Sequence, residues 1–302
     1  MWNGSADSSN GRTVALPFRA KQAVTPLWAE AVARPALDRL LFREGIELAA
    51  AVVGPAGELL GSVGATAFAP LVIGRHENCD LRLLDPSIAL RQCVLLRGHA
   101  RPGAHATTHV WDLRTDCPLV TVEGQNASAL RAQGAFTLRF GGYALVVRTR
   151  DDSTGPLTWL ERGRVVARAF EPADPELTVT RVQPLSYLGE ALPQDPVVAT
   201  LEARLHGHED ATHIPVTLSE FRSGVLIGRY PRCAVRASQM SALSRVHVLL
   251  AEVDGQPTAV DLASTNGTTV NGAGISASPL GMADVLRCSA VELRWGRAAM
   301  AA

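Results

Sequence analysis

The chain has 302 residues, 47 % of them hydrophobic, and its 29 basic side chains balance 29 acidic ones to a formal charge of zero. That length and apolar content suffice for two domains, each with a core. The lack of net charge excludes the broad basic footprint by which a domain grips nucleic acid or an anionic membrane.

No apolar run approaches the length of a membrane span, and the polar start from Asn3 to Arg12 lacks the charged-then-apolar order of an export signal. A cytoplasmic protein without membrane insertion is therefore expected. Five cysteines, an odd count without framework spacing, fit reduced thiols in that compartment. Lys21 is the single lysine, and with abundant alanine the arginine bias points to a GC-rich bacterial genome.

Taken in chain order, residues 1–24 are rich in Ser, Gly and Asn and predict a mobile tail. Thr25-Pro26 forms an N-cap and first-turn pair, and Pro35 predicts the start of a second short helix with Leu37, Leu40 and Leu41 on its apolar face, stopped at Gly45. Residues 1–45 are thus read as a tail plus short helices packed on the first of two β segments. In those segments, residues 46–149 and 197–302, apolar runs beside turn residues, such as Leu226-Ile227, Val248-Leu249-Leu250 and Ala259-Val260, read as strands. Between them, residues 150–196 carry six prolines yet keep strand-like stretches over 158–170 and 177–182, so a semi-rigid, partly β connector is expected.

The two β segments repeat one another. Leu71-Val72-Ile73-Gly74-Arg75 answers Val225-Leu226-Ile227-Gly228-Arg229, and the run from Leu90 to Leu96 answers Ser244 to Leu250, each beginning 16 residues after its glycine. Cys79 matches Cys233, which predicts equivalent core strands, and Asp112 matches Asp261. Downstream, Val122-Glu123-Gly124 answers Val270-Asn271-Gly272.

In the second segment, polar clusters fall where strands run into loops: Gly228-Arg229, then Ser244-Arg245-Val246-His247, then Asp261 to Gly272. Their residue types suit an anion. A phosphate monoester carries about −1.5 to −2 charges and three strong acceptor oxygens, so its reader needs a permanent cation and short, pre-ordered neutral donors. Arg229, Ser244 and Thr265 supply these. Asn266-Gly267 and Asn271-Gly272 are turn dipeptides that tolerate positive φ and fix the loop at little entropic cost.

The pattern GR, SRxH, D-x-x-STNG-T-x-VNG closely resembles the forkhead-associated (FHA) domain, a β-sandwich whose loops bind phosphothreonine peptides. The resemblance implies that Arg229 and Ser244 bind phosphate, that Arg245 and Thr265 line its pocket, and that Asn266 hydrogen-bonds the ligand backbone. It gives His247 a bracing role inside the loops, with Gly228, Gly267 and Asn271 shaping the backbone. The first segment then resembles a degenerate FHA domain that keeps Arg75 and Arg91 but has Leu90 for the serine, Cys93 for the histidine and Thr115-Asp116-Cys117-Pro118 for STNG. Asp116 would repel a phosphate there.

Catalysis is not expected. Ser244 and His247 stand three apart, so on extended backbone they would point to opposite faces, and no GxSxG elbow occurs. His99, His105 and His109 match no zinc spacing, so neither metal nor other cofactor is expected. The sequence thus predicts two FHA-type β-sandwiches in tandem, the second binding a phosphothreonine-containing protein, a Ser/Thr kinase or its substrate. The alternative is a scaffold that assembles proteins without reading phosphate.

Overall fold

The computed structural model describes residues 26–99, 106–113, 115–151, 195–205, 210–237 and 240–297, together with the backbone of four strands between 158 and 184. The expected mobile tail, the Thr25 cap and His105 lie outside the described residues.

The first lobe opens with helix α1 (Pro26–Leu41) and continues through β1 (Leu48–Val53), β2 (Leu59–Ala65), β3 (Pro70–Gly74), β4 (Leu81–Arg82), β5 (Cys93–Arg97), β6 (Thr108–Asp112), β7 (Leu119–Val120), β8 (Asn126–Ala132), β9 (Phe136–Phe140) and β10 (Tyr143–Thr149). The joining segment contributes β11 (Thr158–Arg162), β12 (Val165–Arg168), β13 (Thr178–Val179) and β14 (Arg181–Pro184). The second lobe comprises β15 (Val197–Leu205), β16 (Ala211–Thr217), helix α2 (Leu218–Ser223), β17 (Val225–Gly228), β18 (Val235–Arg236), β19 (Val248–Val253), β20 (Gln256–Asp261), β21 (Thr268–Val270), β22 (Ala273–Ile275), β23 (Ala277–Pro279), β24 (Val285–Cys288) and β25 (Val291–Arg297).

The protein is mostly β, and each lobe is a sandwich of two layers. In the second lobe these are β16-β15-β25-β24-β21-β22 and β18-β17-β19-β20-β23. The first lobe runs β2-β1-β10-β9-β7 and then β8-β6-β5-β3-β4, with β8 pairing both β7 and β6. In the second lobe β22 and β23 divide that task. Both lobes share a short parallel pair, β3 with β4 and β17 with β18, among otherwise antiparallel strands. The joining segment pairs with each lobe, β11 with β8 and β13 with β18.

Helix α1 corrects the reading of two helices broken at Pro35, since it runs through that proline. Pro35 removes one backbone hydrogen bond, but it sits on the exposed side, while Ala29, Ala33 and Leu37 form an unbroken stripe buried against Ala49, Ala51, Ala144 and Val146 of β1 and β10. Burial of that stripe holds the helix together across the missing bond. Helix α2 has no counterpart in the sequence reading. Its signal is in the sequence: Thr217 accepts from the Glu220 N–H at 3.3 Å and the Glu220 carboxylate accepts from the Thr217 N–H at 3.0 Å, a capping box at the N-terminus, while Gly224 at φ 88° ends the helix.

Backbone register aligns the two lobes and corrects one equivalence. Ile73 pairs with Cys93 as Ile227 pairs with Val248, so the first lobe is one residue shorter between these strands. Gly74 and Gly228 correspond, as do Asp112 and Asp261, but Ala89, not Leu90, stands at the place of Ser244, and Gln92, not Cys93, at the place of His247. The hydrogen bonds agree: Arg75 N–H donates to the Ala89 carbonyl as Arg229 N–H does to that of Ser244. Arg91 therefore corresponds to Val246 and is not a retained copy of Arg245. Cys79 and Cys233 are equivalent, but they lie in turns after β3 and β17, not on strands.

The lobes meet through corresponding faces. Val72, Cys79, Val94, Leu96, Trp111 and Leu113 of the first pack in one cluster with Leu226, Cys233, Leu249, Ala251, Val260 and Leu262 of the second. Each residue of the first set has its structural counterpart in the second, so the seam resembles a two-fold contact made within one chain. Polar ties cross it. Trp111 Nε1–H donates to the Arg222 carbonyl at 3.2 Å, His109 Nε2 lies 3.2 Å from Asp254 Oδ1, and Arg91 donates to the carbonyls of Leu262 and Ala263. Covered on both faces, β5 and β6 are buried throughout and lose the alternation of a half-exposed strand.

Trp111 is fully buried in the seam. Trp111→Ala should cost about 3–5 kcal/mol and split a single calorimetric unfolding transition into two as the lobes uncouple. An unchanged profile would show that the seam does not couple them.

Candidate functional site

The candidate site sits where the loops after β17, β18 and β20 come together, and its shape begins with Gly228. A Cβ there would stand 2.5 Å from the Arg245 carbonyl oxygen, so only glycine lets the two loops close. Once closed, the backbones zip: Arg229 N–H donates to the Ser244 carbonyl at 3.2 Å and Tyr230 N–H to that of Arg245 at 3.0 Å. Gly74 meets the Leu90 carbonyl oxygen at the same 2.5 Å, so the first lobe keeps this constraint.

His247 is fully buried beneath the loops and ties them through both ring nitrogens. Nδ1 accepts from the Ser244 N–H at 3.1 Å, which leaves the proton on Nε2 to donate to the Gly267 carbonyl at 3.0 Å. Burial holds its pKa below the ordinary imidazole value. Gln92 solves the same problem in the first lobe: its Oε1 lies 3.4 Å from the Ala89 nitrogen, and Nε2–H donates to the Thr115 hydroxyl and the Cys117 carbonyl, each at 2.7 Å.

The third loop hangs on Asp261. Its carboxylate accepts from Ser264 N–H at 2.8 Å, from the Ser264 hydroxyl at 2.6 Å and from the Thr268 hydroxyl at 2.5 Å. Asp112 anchors the first lobe alike, accepting from the backbone of Thr115 and Leu119. Sequence reasoning places Asp261 and Ser264 in the motif without giving them this work, although an acid three residues before a serine is a side-chain-capped turn signal. Gly267 supplies φ +74°. Asn271-Gly272, both at positive φ, make the tight turn between β21 and β22, and the Asn271 amide pins it to Asp284 and Val285.

Arg229, Ser244, Arg245, Thr265 and Asn266 all line one cleft of about 350 Å³. Ser244 is 8 % exposed and its Oγ accepts from Thr265 N–H at 3.1 Å, which leaves the hydroxyl proton for another acceptor. Buried Arg229 Nε makes no hydrogen bond among the described residues. Asn266 is exposed and its amide donates to the Ala242 carbonyl at 2.6 Å, tying two rims of the cleft. Arg245 lies against the Tyr230 ring at 5.4 Å. The first lobe adds His76, Leu90 and Arg91 to the lining, which no reading of the second lobe alone contains.

Ser244 and His247 do not form a nucleophile–base pair, but not for the expected reason. They lie in a bent loop, and both imidazole nitrogens are taken by backbone groups. Of the histidines around residue 100, His99 stacks on Phe68 and His109 on Trp111. Among the described residues no three His, Cys, Asp or Glu side chains gather as a metal site, and no helix is long and apolar enough to cross a membrane.

The site is thus a loop cluster carried on a β-sandwich, with arginine, serine, threonine and asparagine side chains gathered on one cleft. Residues 225–288 match the model of the FHA domain, and the chain carries an FHA domain in that segment. No curated protein matches the chain. Among solved structures, an Arabidopsis thaliana FHA domain is 20 % identical over 38 % of this chain and 98 % of its own, with a TM-score of 0.29. Mycobacterium tuberculosis EmbR in complex with a low-affinity phosphopeptide is 23 % identical over 34 % of this chain and 26 % of its own, at 0.29. A MEK1 FHA domain in complex with a HOP1 phosphothreonine peptide is 16 % identical over 34 % and 97 %, at 0.27.

His247→Ala leaves the Ser244 N–H and the Gly267 carbonyl without partners and should cost about 1–3 kcal/mol for each group. His247→Gln, copying the first lobe, should restore most of this. Because burial lowers the His247 pKa, its contribution is whole above the unfolded value of about 6.5 and is lost as pH falls through the lower folded value. Denaturant unfolding at about pH 7.5 and pH 5.5 should therefore show a smaller acid loss for His247→Gln than for the wild-type chain.

Proposed function

We propose that the second lobe is a phosphopeptide-binding module that reads phosphothreonine, and that the protein works as a non-catalytic adaptor in Ser/Thr kinase signalling in the cytoplasm. The observation that carries this reading is the convergence of Arg229, Ser244, Arg245, Thr265 and Asn266 on one cleft. Arg229 and Ser244 supply charge-assisted and neutral donors to the phosphate, Arg245 and Thr265 close its pocket, and Asn266 orients the ligand backbone. His247, Gly228, Gly267 and Asn271 hold the loops in that shape without touching ligand.

The domain division that goes with this reading is a helical N-terminal region over 1–45, a degenerate FHA-like lobe over 46–149, a connector over 150–196 and the FHA lobe over 197–302. In the first lobe Ala89 replaces the serine and exposed Asp116 stands in the loop over the bracing glutamine, so phosphate loses a donor and meets an anion. The first lobe is therefore read as packing and support. The competing reading, a scaffold indifferent to phosphate, differs in one observable, the phosphate dependence of binding.

An isolated second lobe would expose Leu226, Leu249, Val260 and Leu262, so the test uses the full chain. By calorimetry, Arg229→Ala and Ser244→Ala should each weaken a phosphothreonine peptide tenfold or more, since a hydrogen bond to a charged group contributes about 1.5–3 kcal/mol. Asn266→Ala should weaken it as well. Phosphoserine should bind about fourfold less tightly than phosphothreonine if the γ-methyl, worth about 0.8 kcal/mol, is buried. Equal affinity for the unphosphorylated peptide would favour the scaffold.

A further inference from the structure

Beside the phosphate cleft, at the seam of the lobes, lies a second basin of about 180 Å³. Arg75 and Arg91 of the first lobe and Arg232 and Arg245 of the second line it, with Tyr230 between, and no carboxylate is part of the lining. Leu90, Arg91 and Arg245 belong to both hollows, so the two adjoin.

Arg91 and Arg75 are held in place by backbone carbonyls, which orient a guanidinium without cancelling its charge. Arg91, 3 % exposed, donates to the carbonyls of Leu262 and Ala263, and Arg75 Nε–H donates to the Ile88 carbonyl at 3.2 Å. Arg232 and Arg245 lie 5.8 and 5.4 Å from the centre of the Tyr230 ring. Acids outside the lining act on it: Asp261 attracts Arg91, and Asp112 and Asp116 attract Arg232. Asp261 and Asp112, however, are engaged as loop anchors. Burial lowers the pKa of both Arg91 and Arg232, and the neighbouring guanidiniums of Arg232 and Arg245 lower that of Arg91 further, so an anion arriving here relieves a cost already present in the fold. Four arginines around a hollow this small suit one compact anion, taken by planar forks, and not a polyanion.

We infer that this basin is a second anion subsite, built by both lobes together, which takes a further phosphate or carboxylate from the same peptide whose phosphothreonine occupies the neighbouring cleft. The inference rests on the phosphothreonine reading. It makes the first lobe a contributor to recognition through Arg75 and Arg91, although its own loops have lost the serine and the histidine.

The experiment uses the full chain and calorimetry. The probes are one phosphothreonine peptide, the same peptide with phosphoserine or glutamate placed at each successive position on either side, and the single-phosphate peptide in the presence of inorganic phosphate. At the best spacing the second phosphate should tighten binding about tenfold or more, and glutamate should do so less. Arg75→Gln and Arg232→Gln should each remove most of that gain while leaving the single-phosphate peptide within about twofold of wild type. No gain at any spacing, or a gain that survives the Arg75→Gln/Arg232→Gln double variant, overturns the inference. A gain matched by inorganic phosphate overturns the same-peptide assignment and gives the basin to a free anion. Failure of the phosphothreonine peptide to outbind its unphosphorylated form would instead bring down the phosphothreonine reading itself, so the two failures are distinguishable.

Discussion

The covered sheet faces between the lobes are the constraint on which the rest of the architecture depends. In each sandwich one layer turns a second apolar surface outward, and the two surfaces bury Trp111, Val94 and Val72 against Val260, Leu249 and Leu226. At about 25 cal/mol per Å² of apolar surface removed from water, exposure of both faces would be costly and would invite association. Burial against each other removes that cost and fixes which loops are neighbours. With the lobes so joined, His76, Leu90 and Arg91 line the second lobe's cleft.

Within each lobe a second constraint acts, because three loops must be held at one end of a sandwich whose strands supply no direct support. A glycine permits two loops to touch, a buried polar side chain ties their backbones, and an aspartate folds the third. The polar tie is His247 in one lobe and Gln92 in the other, side chains that each offer one acceptor atom and one N–H donor. The first lobe thus has the loop framework without the serine that the second lobe presents to its cleft. The framework meets backbone needs that persist whatever the loops bind, since an unpaired buried N–H or carbonyl costs the same with or without ligand.

The distribution of charge comes from the same geometry. A chain with no net charge gathers arginines from both lobes around two adjoining hollows, while its loop-facing aspartates point inward to brace turns. A sum over the sequence hides such a local arrangement, because it records how many charges there are and not where the fold gathers them.

The sequence by itself determined the β class, the internal repeat, the FHA motif and the five residues that line the cleft, because strand periodicity, turn chemistry and side-chain charge are local properties. It also carried the capping box of α2, a signal hidden among strand-like neighbours, and it misplaced the break at Pro35, where burial of Ala29, Ala33 and Leu37 outweighs one lost hydrogen bond. The alignment through Arg91 and Arg245 was misleading because a loop one residue shorter keeps similar letters while strand pairing moves them by one place, and only the hydrogen-bonded register reveals the shift. The partner of each outward apolar face was decided by tertiary structure alone. An apolar surface states that something must cover it, but the hydrophobic effect is non-directional, and which surface does so depends on matching shapes far apart in the chain.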